Sequence, residues 1–269
     1  MTNPVNWVQP SLYLDTATTA NNLAKATINY DHIPAITYFY PDPAKILNID
    51  LKTAGKNIGY IPGAGDKVAE ALEVMGYEVT LLTEKELARM NLKLFDAIIT
   101  GVRAYNVNEW LPNYHDKLMA YIADGGNFIV QYNTNSFVGP LRSRIGPYNF
   151  TISRNRVTDE RAAVTMQVPE HAVFNFPNKI AKPDFDGWVQ ERSTYDATDP
   201  DPAFKALVSM SDKGEQPDAG SLIVAKWGKG YFTYAGLSFF RQLPAGVPGA
   251  YRLFANLIAL NQKMRFDGR

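Results

Sequence analysis

One short stretch in the second half of the chain contains a dense group of chemically active side chains. Asp184 and Asp186 precede Trp188, and Glu191 and Arg192 follow it. An indole face flanked by carboxylates suits a sugar ring, and the three acids together suit a hard cation with oxygen ligands. The competing interpretation is structural: Trp188 anchors the segment and the charged residues form ion pairs. The sequence favours this second interpretation slightly.

Two further groups follow predicted strands, which is where open parallel sheets bind ligands. Arg103 and Tyr105 follow one strand, and the guanidinium is a fixed donor fork for carboxylates or sugar oxygens. An arginine that holds neighbouring backbone carbonyls or a buried carboxylate fits equally well. Tyr132, Asn133 and Asn135 follow another strand, ahead of Ser136, and are better explained as a polar turn than as a binding segment.

Other reactive groups are scarce. The chain has no cysteine, so thiol nucleophiles, disulfides and thiolate metal sites are excluded. Its three histidines are far apart and none lies in a zinc-binding pattern. The glycine-bearing turn at 62–66 matches no nucleotide fingerprint and is better explained as a tight turn than as an anion cradle. We therefore expect no cofactor and no metal.

The elements that must position these residues alternate along the middle of the chain. Predicted strands and helices occur in turn, and this pattern is typical of right-handed crossovers in a parallel sheet that is covered on both faces. The predicted strands are 57–61, 77–82, 95–100 and 127–132. The predicted helices have their apolar faces at 68–75, 84–90 and 109–123.

The regions before and after these alternating strands and helices are expected to form other structures. Residues 1–45 lack a helical period and contain several prolines, so we expect an extended arm or the tail of a preceding domain. Residues 133–202 are irregular and are expected to form an insertion with short strands such as 163–168. A hairpin (221–226 and 231–236) and a helix (249–260) complete the domain at 46–269.

Charge and composition exclude some functions. The 27 basic and 27 acidic residues cancel, so no global field attracts nucleic acid or an anionic membrane. No apolar run approaches the roughly 20 residues that span a bilayer. A neutral or sugar-like partner fits this balance of charge, and the composition is compatible with an oligomer.

Several segments together resemble the C-terminal region of large bacterial PIG-L-type (N-acetylglucosaminyl deacetylase-like) proteins. The resemblance covers most of the chain and is carried by residues 30–34, 58–66, 185–192, 228–237 and 249–256. It implies a class I glutamine-amidotransferase-like fold: an α/β, doubly wound, mostly parallel flavodoxin-like sheet with an irregular insertion, a C-terminal hairpin and a helix. It also implies a shape related to ThuA-like domains and to the middle domain of some β-galactosidases.

The sequence lacks the motifs on which the deacetylase and amidotransferase activities of the resembled proteins depend. The His-Pro-Asp-Asp type motif of the zinc deacetylase domain has no match, and the amidotransferase triad lacks its thiol. The resemblance places the nucleophile position after the strand at 127–132, where Asn133 stands. The resemblance implies that the partner is a carbohydrate or another domain of a larger deacetylase-like protein. It also implies that the compartment is the periplasm or cell envelope.

We therefore expect a non-catalytic ligand-binding or accessory domain in carbohydrate or amino-sugar processing. The binding candidates are Arg103, Tyr105, Tyr132, Asn133, Asn135, Asp186, Trp188 and Glu191. One alternative is a cysteine-independent hydrolase in which Asp186 or Glu191 acts as general base. The other is a purely structural oligomerisation domain.

Overall fold

The computed structural model describes residues 5–9, 11, 22–135, 141 and 143–262. The chain divides into two compact units, Met1–Asp50 and Leu51–Arg269. The first unit contains the strands β1 (Val5–Val8), β2 (Leu23–Ile28), β3 (Ile36–Pro41) and β4 (Ala44–Leu47). β1 pairs with β4 and β2 pairs with β3, both antiparallel. The arm expected at 1–45 thus contains two short ladders.

The second unit contains the remaining elements of the described chain. Its strands are β5 (Asn57–Ile61), β6 (Glu78–Leu81), β7 (Ala97–Thr100), β8 (Asn127–Gln131), β9 (Thr151–Ile152), β10 (Arg156–Val157), β11 (Thr165–Met166), β12 (Ser193–Thr194), β13 (Ala197–Thr198), β14 (Phe204–Ala206), β15 (Val208–Ser209), β16 (Leu222–Trp227) and β17 (Gly230–Ala235). Its helices are α1 (Val68–Val74), α2 (Glu84–Arg89), α3 (Ala104–Val107), α4 (His115–Ala123), α5 (Ala172–Asn175), α6 (Phe239–Gln242) and α7 (Pro248–Ile258). None of the helices in the described ranges is long and apolar enough to cross a membrane.

A seven-stranded mixed sheet forms the centre of this unit, in the order β14–β16–β17–β8–β7–β5–β6. The neighbours from β17 to β6 run parallel, whereas β14–β16 and β16–β17 are antiparallel. All residues of β7 and β8 are buried, as expected for parallel strands covered on both faces. The predicted α/β class and mostly parallel sheet are confirmed.

Alternate residues of the strands enter two separate apolar clusters. Ile99 and Ile129 pack in the cluster that includes side chains of α1 and α7. Ile98, Phe128 and Val130 pack in the other cluster, with side chains of α2 and α4. The two-residue period of a strand therefore supplies both cores from the same segments.

Two predicted elements are shorter than expected. The helix expected at 109–123 begins with a 3₁₀ turn, Leu111–Tyr114, and becomes α-helical only at His115. The strand expected at 163–168 covers only Thr165–Met166, because its antiparallel partner β15 has just two residues. The remaining strands and helices predicted in the second unit agree with the structure within a few residues.

The irregular region between β8 and β14 is docked against α7. Asp184, in the 3₁₀ turn Lys182–Phe185, forms a 2.8 Å ion pair with Arg252. A Cβ at Gly249 would lie 1.8 Å from the carbonyl oxygen of Asp184, so only glycine permits this approach. Asn256 is fully buried and donates to the carbonyl of Asn178 at 2.7 Å. Polar contacts therefore attach this region to the last helix.

Candidate functional site

The segments that follow β7, β8 and β17 bring polar and aromatic side chains together. Arg103 follows β7, Tyr132 follows β8 and Arg241 follows β17, while the irregular region contributes Glu191 and Tyr195. The other four residues are all close enough to Tyr132 to influence the pKa of its hydroxyl. We refer to these five residues as the carboxyl-end site, because the carboxyl ends of parallel strands are where such sheets bind ligands.

Arg103 lies on a sharp strand-to-helix turn. Its backbone is left-handed, with φ of 59°, and its N–H donates to the Tyr132 carbonyl at 2.8 Å. A left-handed conformation costs a residue with a Cβ roughly 1–2 kcal/mol. Its side chain is exposed, and within the described part of the chain the guanidinium makes no hydrogen bond or ion pair. Arg103 therefore presents an unpaired donor fork at the sheet edge.

Asp66 holds this turn against the neighbouring one. One carboxylate oxygen accepts from the Val102 N–H at 3.0 Å, and the other accepts from the Val68 N–H at 2.9 Å and the Tyr60 hydroxyl at 2.5 Å. Burial, and then the charge of Asp66, raise the pKa of Tyr60, so its phenol stays a donor. The carboxylate satisfies amides of both turns and fixes the ends of β5 and β7 together.

Two glycines allow the turns to approach this closely. A Cβ at Gly63 would lie 2.0 Å from the carbonyl oxygen of Val102, and a Cβ at Gly101 would lie 2.7 Å from the amide nitrogen of Gly63. The Ala64 N–H donates to the same Val102 carbonyl at 2.8 Å. The segment 62–66 is therefore a tight turn packed against its neighbour, as the sequence favoured.

Three aromatic rings form a platform at the site. Tyr132 stacks on Tyr195 with ring centroids 6.0 Å apart and an angle of 10°, and it contacts Phe240 at 5.1 Å. Burial raises the pKa of Tyr132, while Arg103 and Arg241 act in the opposite direction. All three rings are only partly buried. The platform thus combines accessible ring surface with a neutral phenol.

Glu191 and Arg241 form the charged wall of the site. Arg241 Nε donates to Glu191 Oε1 at 2.9 Å, and Arg241 also donates to the side-chain carbonyl of Gln190. Gln190 has φ of 67°, and the Glu191 N–H donates to the Val189 carbonyl at 2.8 Å, the pattern of a strained γ-turn. Because Arg241 balances Glu191, the uncompensated charge of the site is that of Arg103.

Backbone strain is concentrated here. Among the described residues, the non-glycine residues with positive φ are Arg103, Gln190, Tyr195 and Asp199. Two of them belong to the carboxyl-end site and Gln190 contacts Arg241. Such conformations cost on the order of 1–3 kcal/mol each and cluster at ligand-binding and active sites. The strain therefore supports a functional role for this surface.

A buried acid lies next to Tyr195 in the chain. Asp196, next to Tyr195, is fully buried, and its Oδ2 accepts from the Ser193 hydroxyl at 2.7 Å. Its Oδ1 has no partner among the described residues. Burial raises the pKa of Asp196 to about 8, so the carboxyl group is mainly protonated at neutral pH.

Two of the expected binding residues are structural instead. The Tyr105 ring lies in the apolar core, and its buried hydroxyl has no partner in the described part of the chain. Asn133 is fully buried; its Oδ1 accepts from the Tyr105 N–H at 2.9 Å and its Nδ2 donates to the Gln131 carbonyl at 3.0 Å. Both expectations are corrected, because Asn133 holds the start of α3 and Tyr105 points inward.

Trp188 does not offer a face to a ligand. It is 3% exposed and packs against Phe185 and Phe239, with its Nε1 donating to the Asp184 carbonyl at 3.2 Å. The guanidinium carbon of Arg192 lies 5.5 Å from the indole centroid. The stacking role is therefore wrong, and the alternative that Trp188 anchors the segment agrees with the structure.

The expected cation ligands do not converge. Asp186 is exposed, Asp184 is paired with Arg252, and Glu191 is paired with Arg241. The described ranges contain no group of three acidic, histidine or cysteine residues that could hold a metal ion. The hard-cation interpretation is therefore wrong for these residues.

Asn135 lies at the start of the irregular region. It is partly buried, and its Nδ2 donates to the carbonyl of Ile152 at 2.8 Å, which ties the segment after β8 to β9. Ser136, the next residue of the predicted polar turn, lies outside the described residues. The polar-turn interpretation of this segment accounts for Asn135.

The resemblance places a nucleophile after β8, but the turn with the geometry of a catalytic elbow follows β7. A catalytic elbow requires a strained strand-to-helix turn that exposes the side chain. The turn of that form follows β7 and carries Arg103, whereas Asn133 after β8 is fully buried. Arginine remains protonated and cannot act as a nucleophile at neutral pH.

Tyr195, Phe240 and Arg241 were not among the residues predicted from the sequence. Phe240 and Arg241 follow the last strand of the sheet, so the rule that identified Arg103 and Tyr132 would also have found them. Tyr195 carried no such signal. Its position depends on the path of the irregular region between residues 143 and 202.

Arg103→Gly is expected to raise the free energy of unfolding by about 0.5–1 kcal/mol, because glycine adopts a φ of 59° without a Cβ penalty while losing more backbone entropy. Urea denaturation measures the change. Arg161→Gly, at another exposed arginine with ordinary φ, is the matched control and should lower stability. Equal losses in both variants would show that the turn at Arg103 is not strained.

Neither a protein-family model nor a curated protein matches the chain. Solved structures that match this chain in part include the β-galactosidase from Rahnella sp. R3, with 18% identity and a TM-score of 0.43 over 80% of this chain and 32% of that one. The cytoplasmic protein STM1381 from Salmonella typhimurium LT2 has 12% identity and a TM-score of 0.48 over 75% of this chain and 98% of that one. The chain spans about a third of the β-galactosidase.

Proposed function

We propose that this chain is a non-catalytic, class I glutamine-amidotransferase-like domain that binds a carbohydrate-related ligand at the carboxyl-end site. The order of its parallel strands supports the fold: in chain order, β6–β5–β7–β8–β17 is 2-1-3-4-5, the order of a doubly wound flavodoxin-like sheet. The two apolar clusters, one on each side of the sheet, add further support. The segments that resemble PIG-L-type proteins agree with this assignment.

The observation that carries the proposal is the unpaired guanidinium of Arg103 beside the ring platform. In a 2-1-3-4-5 sheet the order reverses between the first and third strands, here β5 and β7, and ligands bind at that point. Arg103 stands on the turn after β7, next to the turn after β5. A donor fork beside partly exposed aromatic faces suits a sugar ring that carries an acidic group.

The chemistry of the site supports binding without bond cleavage. The chain has no cysteine, and the exposed residue on the strained turn is Arg103. The hydrolase alternative requires Glu191 or Asp186 to act as a general base, but Glu191 is paired with Arg241 and Asp186 is exposed outside the site. Neither of these two residues therefore combines the accessibility and the partner that a base requires.

Titration calorimetry with glucuronic acid, N-acetylglucosamine and glucose tests the proposal. We expect glucuronic acid to bind most tightly, and Arg103→Gln to weaken its binding by about tenfold or more, as for the loss of a charged hydrogen bond. Tyr132→Leu should weaken binding of all the sugars that bind, because the ring platform is lost.

Arg161→Gln is the control for loss of an exposed arginine and should leave the affinities unchanged. Failure of all three sugars to bind, or an affinity for glucuronic acid that Arg103→Gln and Tyr132→Leu both retain, would contradict a sugar site at the carboxyl end. Hydrolysis of a glycoside or amide bond that Glu191→Gln abolishes would favour the hydrolase instead.

A further inference from the structure

A second concave surface lies near the amino end of β17, away from the carboxyl-end site. It is a hollow of about 450 Å³ whose lining includes Lys205, Lys226, Tyr231, Glu170 and His171. The apolar residues of the lining include Val168, Val224 and Leu260. Its volume lies within the roughly 300–1,000 Å³ of small-molecule sites. We refer to it as the amino-end hollow.

The strand register places the two lysines on one face of the sheet. Lys205 of β14 is opposite Val224 of β16, and Lys226 is two residues further along β16, opposite Tyr231 of β17. Opposite residues and residues two apart share a face, so Lys205 and Lys226 are diagonal neighbours, about 7–8 Å apart at Cα. Both ammonium groups therefore project from the same patch of sheet.

The lysines outnumber the carboxylates in the lining of the hollow. Neither lysine forms an ion pair within the described part of the chain, although Glu170 contributes one carboxylate to the lining. Lys205 and Lys226, set against Glu170, leave one net positive charge, to which a protonated His171 would add. Two ammonium groups at this separation repel each other by Coulomb's law, and an anion between them replaces that repulsion with attraction.

We propose that the amino-end hollow binds a small phosphorylated molecule whose phosphoryl group bridges Lys205 and Lys226. A phosphate monoester carries close to two negative charges at neutral pH, which matches two ammonium groups better than a carboxylate does. The apolar side of the hollow, formed by Val224 and Leu260, receives the body of the ligand. This site uses none of the residues of the carboxyl-end site.

Titration calorimetry at low ionic strength with glucose 6-phosphate, inorganic phosphate and glucose tests the proposal. We expect both phosphates to bind, glucose not to bind here, and the affinity to fall as sodium chloride is added. Lys205→Gln and Lys226→Gln should each weaken phosphate binding by about tenfold. Tighter binding of glucose 6-phosphate assigns the hollow to a phosphorylated metabolite; equal affinities assign it to phosphate itself.

Lys229→Gln, in the exposed turn between β16 and β17, is the matched control and should leave binding unchanged. Thermal melting adds an independent test. Without an anion, Lys205→Gln should melt at a higher temperature than the native chain, because the repulsion between Lys205 and Lys226 is relieved. Added phosphate should remove this difference. No phosphate binding at millimolar concentration, or binding that both lysine variants retain, would overturn the proposal. Arg103→Gln should not affect it, so the two sites fail independently.

Discussion

Asp196→Asn is expected to be more stable than the native chain at pH 8. The difference in the free energy of unfolding should grow by about 1.4 kcal/mol for each pH unit above 3.8, the ordinary pKa of aspartate. Burial raises the pKa of Asp196 to about 8 in the folded chain. Between these two values the folded state keeps a proton that the unfolded state has released. The contribution of the Asp196 carboxyl group to the free energy of unfolding is therefore fully present below about pH 4, and it is lost as the pH rises to about 8.

Urea denaturation of both chains from pH 4 to pH 9 measures this difference. Asparagine is neutral at every pH and is close in shape to the protonated carboxyl group, so groups that titrate elsewhere cancel in the comparison. Asp199→Asn, at an exposed carboxylate on the same segment, is the control and should give a curve parallel to that of the native chain. Parallel curves for Asp196→Asn would mean that Asp196 titrates normally in the folded protein.

Gly63→Ala is expected to lower the free energy of unfolding by about 3 kcal/mol or more, because a backbone must move to accept the new Cβ. That Cβ would lie 2.0 Å from the Val102 carbonyl oxygen, far inside contact distance. The displaced residue precedes Arg103, so binding at the carboxyl-end site should weaken as well. Chemical denaturation and sugar titration measure the two effects.

Gly65→Ala separates steric overlap from backbone strain. Gly65 has φ of 101°, but a Cβ there would meet nothing within 4 Å. Alanine at Gly65 should therefore cost about 1–2 kcal/mol, the strain of positive φ alone. If Gly65→Ala proved as destabilising as Gly63→Ala, the close approach of the two turns would not be the source of the loss.

The parallel part of the sheet could be predicted because its signals are local. The run from Asn127 to Gln131 is apolar enough to be buried on both faces, and the residues of α7 repeat with a helical period. Chain order and the right-handed crossover rule then restrict the topology. The irregular region gave no such signal, because its two-residue ladders depend on partners distant in sequence.

The site could be predicted only where one rule applied. Arg103 and Tyr132 were found because they directly follow strands of a parallel sheet. Glu191 was found by composition, but its partner Arg241 is 50 residues away and carries no local mark of that contact. Trp188 failed for the opposite reason: a tryptophan beside carboxylates resembles a sugar platform, and only packing against Phe239 shows that its ring is internal.

Buried groups explain the other misses. Tyr105 and Asn133 both follow strands, as Arg103 and Tyr132 do, yet their side chains point into the protein. The direction is set by the one-turn helix α3 and by the hydrogen bond from the Tyr105 N–H to Asn133. Strand ends therefore identify the right segments, while the orientation of each side chain depends on turn geometry that the sequence does not display.

The attachment of the irregular region to α7 has a consequence for how the protein is made. Glu191 and Tyr195 lie on a region fixed by Arg252 and Asn256, which are translated some 60 residues later. A nascent chain can complete β5 to β8 on the ribosome, since those strands precede the irregular region, and domains generally fold as synthesis proceeds. The carboxyl-end site, in contrast, can be completed only after residues near 256 have emerged from the exit tunnel.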